Sequence, residues 1–209
     1  MNQYRPHHID LQERYDTRRL ADRLAEGTGD EISDELRSFI EARDMFFIAT
    51  TDEDGFPQCS YKGGHPGFVR VLDKSTIAFP VYDGNGMFLT AGNLRGGNPR
   101  VGILFVDFET GSRLRVNGEA SVDFDDPLTP TYPHALFTVR VRARAVFVNC
   151  RRYVHRYELV ERSVFAPDGE AAPPVPDWKL DPWFDGALPA GDPAHDRGNP
   201  TAPAFPRFS

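Results

Sequence analysis

Residues 45–64 read MFFIATTDEDGFPQCSYKGG. MFFIATT is a short run of aromatic and β-branched residues, DEDG is a turn signal, and FPQCSYK resumes an extended pattern before a glycine pair. The stretch therefore predicts two strands joined by a tight connection. Side chains alternate along a strand, which puts Gln58, Ser60 and Lys62 on one face of FPQCSYK and Cys59 and Tyr61 on the other. One face of this strand is then a row of polar groups. FVRVL (68–72) and STIAF (75–79) continue the same punctuation, and His65, inside GGHPG, reads as a turn residue.

Working outward, VGILFVDF (101–108) is almost wholly apolar, as expected of a strand covered on both faces, and predicts where a barrel interior lies. RLRVNGEASVDF (113–124) and LFTVRVRARAVFVN (136–149) add two long strands, the second with Arg140, Arg142 and Arg144 on one face. Three helical patterns interrupt the strands. Ser33 caps a helix ending near Arg43 whose apolar side is Ile32, Leu36, Phe39 and Ile40, with Asp34 and Glu35 at its positive end. A short helical stretch follows over 87–99, and the spacing of Tyr153, Val154, Tyr157 and Val160 predicts another over 151–162. Leu11, Tyr15, Leu20 and Leu24 form a weak amphipathic pattern closed by Gly27 and Gly29, read as an extension packed on the domain surface. Beyond Phe165 proline and glycine dominate, yet Trp178, Trp183 and Phe184 suit a docked segment, so order is expected to about Leu188 and mobility beyond. The organisation expected is a helical extension (1–30), one mainly β domain with flanking helices (31–165) and a partly ordered tail (166–209).

The chain of 209 residues carries a net charge of -7, which argues against nucleic acid or an anionic membrane surface as the main partner. Its opening residues, MNQYRPHHID, are polar, and no apolar run suits a membrane span or signal peptide, so the cytoplasm is the expected compartment. Cys59 and Cys150 lack metal or redox spacing and are expected as two buried free thiols. The histidines form no ligand set, and no metal is expected.

ATTDEDGFPQCSYKGG (49–64), LDKSTIAFP (72–80), the GNG loop (84–86), NPRVGILFVDF (98–108) and RLRVNGEA (113–120) resemble, in order and spacing, the pyridoxamine 5'-phosphate oxidase-like FMN-binding split-barrel family. The resemblance covers roughly residues 33 to 165 and implies a split β-barrel working as a homodimer, with FMN held between subunits and an interface near residues 101–108. It places the flavin phosphate at Ser60 and Lys62. Gly84, Asn85 and Gly86 are then backbone and side-chain donors to an anionic oxygen. Arg113 and Arg115 fall near the pyrimidine side of the ring, where a cation favours the reduced flavin anion. Trp178 and Lys179 match a stretch from which the partner subunit contacts the flavin.

The chain departs from the family's oxidases in two places. It keeps the lysine of their R-x-x-x-L-L-K strand as Lys62 but lacks the arginine and leucine pair. AFPVYDGNGMF replaces their Y-T-x-x-x-S-R-K segment. Both departures weaken pyridoxamine phosphate as substrate more than FMN as cofactor. The expected function is an FMN-dependent oxidoreductase with a small-molecule substrate and no assignable catalytic side chain. Two alternatives stay open: a deazaflavin-dependent reductase gripping an anionic tail with Arg140, Arg142 and Arg144, and a flavin- or haem-binding protein without turnover.

Overall fold

The structure, a computed structural model, describes residues 4–169, 171–184 and 186–195. It divides into two compact units, residues 1–160 and residues 161–209. The first unit is built on one seven-stranded antiparallel sheet. Its strands are β1 (Met45–Thr51), β2 (Pro57–Gly63), β3 (Arg70–Val71), β4 (Thr76–Tyr82), β5 (Arg100–Asp107), β6 (Ser112–Asp123) and β7 (Ala135–Asn149), in the order β2-β1-β5-β6-β7-β4-β3. Although β1 and β4 are not neighbours in that order, Phe46 of β1 meets Phe79 of β4 at 5.0 Å between ring centroids and Phe105 of β5 at 5.5 Å. The sheet therefore curls around its own apolar face, and all three rings are fully buried. Burial of each such side chain is worth about 1.5–3 kcal/mol.

A bulge helps the long strands curl. Asn117 pairs with Ala145 but Gly118 pairs with Ala143, which leaves Arg144 unmatched. Only glycine fits at 118, because a Cβ there would lie 2.3 Å from the Arg142 carbonyl oxygen. Helix α3 (Asp34–Glu41) begins where expected, with the Ser33 hydroxyl accepting the Leu36 N–H at 3.3 Å. Arg37 donates to the Val71 carbonyl at 2.6 Å, and Glu41 accepts the Val71 N–H at 2.9 Å, which pins the helix over β3.

The sheet's other face forms two register rows across five strands. One runs Tyr61, Phe47, Leu104, Arg115, Phe147, and the next Cys59, Ala49, Gly102, Asn117, Ala145. The first row is a half-exposed apolar band broken by one arginine, and the second is made mostly of small residues.

Several expectations are corrected. β5 is fully covered on one face, where Val101, Ile103 and Phe105 are buried, and only in part on the other, where Val106 is buried but Gly102 and Leu104 stay partly exposed. Both cysteines are exposed, Cys59 because it points outward from the edge strand β2 and Cys150 because it follows the end of β7. No helix forms over 151–162. Tyr153 takes a positive φ of 68°, and the chain spends its donors on the β5–β6 turn, Tyr157 N–H to the Phe108 carbonyl at 3.1 Å and Arg156 Nε to that of Glu109 at 2.7 Å. The N-terminal region forms two helices, α1 (Pro6–Arg14) and α2 (Arg18–Glu26), parted at Asp16, which has φ 51°. That break splits the apolar stripe, and Leu11, Tyr15, Leu20 and Leu24 are exposed rather than packed.

In the second unit the described contacts run past Leu188. Lys179 Nζ meets Asp192 Oδ2 at 2.5 Å with both side chains buried, and Trp178 lies edge-on to Phe184 at 5.1 Å. The remainder of the expected mobile segment, from residue 196, lies outside the described residues.

Candidate functional site

The curl brings β2 and β4, from opposite halves of the sheet order, to the walls of one cleft of about 330 Å³. Alternation along β2 turns Ser60 and Lys62 to the same face as their partners Ile48 and Phe46, both fully buried. The opposite wall comes from Phe79 and Val81 of β4 with Val139 of β7. The loop 84–88 and the start of helix α4 (Leu89–Arg95) close the end between them. Five residues singled out in the sequence thus share one cleft: Ser60, Lys62, Gly84, Asn85 and Gly86.

The polar groups converge at the β2 end. The Thr90 hydroxyl donates to the Ser60 hydroxyl at 3.1 Å and ties α4 to β2. Lys62 makes no hydrogen bond or ion pair among the described residues, and burial holds its pKa below the ordinary lysine range. A half-buried ammonium without an anion is costly by itself, and the cost is offset when an anion enters. In the loop, Asn85 Oδ1 accepts the Met87 N–H at 3.1 Å, which leaves the side-chain NH₂ as the donor, and Gly86 takes a φ of 74° that suits glycine. Phe88 takes φ 48°, a left-handed conformation costing about 1–2 kcal/mol for a residue with a β-carbon.

Sequence reasoning missed Thr90 and Phe88. Thr90 sits thirty positions from its partner Ser60, so no local pattern joins them. Phe88 looked like one more apolar residue in a helical stretch.

Of the other expected site residues, those of the first unit stand elsewhere. Arg113 and Arg115 project from the opposite sheet face to Ser60 and Lys62. Arg113 donates through Nη2 to the Cys150 carbonyl while its buried Nε lacks a hydrogen-bond partner among the described residues, and Arg115 lies 6.0 Å from the Phe147 ring centre. Trp178 and Lys179 belong to the second unit, where the lysine amine is engaged by Asp192. In the arginine row, Arg140 binds the buried Asp126 carboxylate at 2.5 Å and Arg144 binds Glu119 at 2.9 Å. The Arg140 bond holds the Asp126 pKa below the usual carboxylate range. Among the described residues no cluster of three or more His, Cys, Asp or Glu could hold a metal, and no helix is long and apolar enough to cross a membrane.

The fold is a curled antiparallel sheet with a cleft of about 330 Å³ between its distant strands. The family model for pyridoxamine 5'-phosphate oxidase matches residues 32–164, and the chain belongs to that family. No curated protein matches the chain. Among solved structures it is similar to HupZ from Group A Streptococcus, with 18% identity over 61% of this chain and 99% of that chain and a TM-score of 0.47. A putative pyridoxamine 5'-phosphate oxidase from Lactobacillus delbrueckii gives 25% identity over 57% of this chain and 95% of that chain, TM-score 0.45. HutZ, the haem storage protein of Vibrio cholerae, gives 19% identity over 56% and 94%, TM-score 0.42.

Proposed function

We propose that the cleft binds FMN and that the chain is an FMN-dependent oxidoreductase built as a split β-barrel. The observation that carries this reading is Lys62, a half-buried cation without an anion among the described residues, beside the paired hydroxyls of Ser60 and Thr90. One cation with two hydroxyls and the donors of the Gly84–Asn85–Gly86 loop is the donor set that a monoester phosphate needs. Phe79, Val81 and Val139 offer the ring an apolar wall. Bound FMN would supply the electron-transfer chemistry. The chain's own part is to anchor the phosphate at Lys62, hold the ring against that wall and exclude water from it.

The same reading includes a homodimer. The half-exposed band Tyr61, Phe47, Leu104 and Phe147, beside a row of small residues, is a flat surface suited to a second copy. Arg113 and Arg115 lie on this face, so a partner subunit is what could bring them to a flavin. The arginine row gives little support to a deazaflavin, since Arg140 and Arg144 are already paired with acids.

The absorption spectrum of the purified protein, with FMN titrated against the FMN-free form, tests the reading. A flavin spectrum and saturable FMN binding are expected. A haem Soret band or a deazaflavin spectrum, with no FMN uptake, would overturn it.

A further inference from the structure

Resting on the homodimer proposed above, the charges at the two ends of the outer sheet face bear on how the copies meet. Arg151, Arg152 and Arg156 follow the end of β7 and make no ion pair among the described residues. Contacts with the β5–β6 turn gather them there. Arg156 Nε donates to the Glu109 carbonyl at 2.7 Å, and a β-carbon at Gly111 would lie 3.8 Å from that of Arg151. Arg113, on the outer face, donates to the Cys150 carbonyl and so starts the segment on that side. Asp107 is taken by Arg43 at 3.1 Å, which leaves Glu109 and Glu158 as the acids of this corner, and the arginines outnumber them.

The diagonally opposite corner carries the other sign. β1 runs antiparallel to β5, so the β1–β2 turn lies beyond Thr51 at the end where β5 begins, while the β5–β6 turn and the end of β7 lie at the far end. That β1–β2 turn holds Asp52, Glu53 and Asp54. Asp52 accepts the Phe56 N–H at 2.8 Å, whereas Glu53 and Asp54 are exposed and make no ion pair among the described residues. Between the two corners runs the band Tyr61, Phe47, Leu104 and Phe147. Two copies that meet by this face are related by a two-fold axis lying in the plane of contact. An axis along the strands sets arginines on arginines and acids on acids, which repel. An axis crossing the strands obliquely exchanges the corners and matches opposite charges twice, once at each end. We propose that the homodimer takes this crossed arrangement, with the acidic β1–β2 turn of each copy docked on the Arg151, Arg152 and Arg156 corner of the other.

Charge reversal tests the arrangement by sedimentation of the full chain. One variant carries Arg151→Glu with Arg152→Glu, a second Glu53→Lys with Asp54→Lys, and a third all four changes. The four side chains are exposed, so the fold should tolerate them, and circular dichroism checks that it does. An exposed ion pair is weak singly, but each reversal turns attraction into repulsion at both ends, so the first two variants should dissociate about tenfold more readily. The third restores opposite charges at both corners and should return to within about threefold of wild type. The wild-type dimer should also loosen as salt is raised, which needs no variant. A dimer indifferent to salt, or to either pair of reversals, overturns the crossed arrangement, and so does a fourfold variant as weak as the others. In those cases the homodimer itself stands. A wild-type chain that sediments as a monomer removes both.

Discussion

Replacing Lys62 tests the cleft most directly. Its ammonium is half-buried, unpaired among the described residues and held below its ordinary pKa of 10.5 by desolvation. Lys62→Met removes the charge and keeps most of the stem. A charge-assisted bond to phosphate is worth about 1.5–3 kcal/mol, so the Kd for FMN should rise roughly 10- to 150-fold. Riboflavin, which lacks the phosphate, should bind both proteins alike.

The FMN-free protein should respond in the opposite direction. With the folded pKa below the unfolded one, the unfolded chain takes up the proton first as pH falls from about 10.5. The stability present above that pH is therefore lost as pH falls through the lowered folded pKa. Lys62→Met removes this loss, so the FMN-free variant should be no less stable than wild type near neutral pH and should lack the alkaline rise. Fluorescence titration with both flavins, together with urea unfolding at several pH values, measures the two effects. Equal losses for FMN and riboflavin would place Lys62 away from the phosphate and refute the reasoning.

Leu104→Glu puts a charge in the half-exposed band of the outer sheet face and should convert a dimer to monomer in analytical ultracentrifugation; an unchanged dimer would place the interface elsewhere. If a second copy carries Arg113 to the flavin, Arg113→Gln should lower the reduction potential by roughly 20–60 mV, from about 1–3 kcal/mol of screened charge, and identical potentials would take Arg113 out of the site. Asp126→Asn should cost about 1–3 kcal/mol near pH 7 by weakening the bond to Arg140. Because the folded Asp126 pKa is depressed, wild type loses that contribution as pH falls through it, and the variant's deficit should shrink in acid-unfolding curves. Gly118→Ala forces a Cβ against the Arg142 carbonyl oxygen and should destabilise by about 1–3 kcal/mol or more in thermal unfolding.

Much of the fold was legible because it rests on local rules. The MFFIATT and FPQCSYK runs became β1 and β2, the face shared by Gln58, Ser60 and Lys62 follows from backbone alternation, and Ser33 capped α3 because its hydroxyl reaches an amide three residues on. The grouping of Ser60 and Lys62 with the Gly84–Asn85–Gly86 loop came from family resemblance, and the cleft joins them.

What the tertiary structure alone decided is which surfaces are covered and which distant groups meet. Helical spacing at Tyr153, Val154, Tyr157 and Val160 was real, but the chain bonded to the β5–β6 turn instead, with Tyr157 edge-on to Phe108. The same holds for the exposed cysteines, the partly covered second face of β5 and the Ser60–Thr90 bond. Periodicity and capping depend on neighbours within a few residues, so the amino-acid sequence states them directly. Burial and the meeting of hydroxyls thirty residues apart depend on how a seven-stranded sheet curls, which is set by packing summed over all its strands at once.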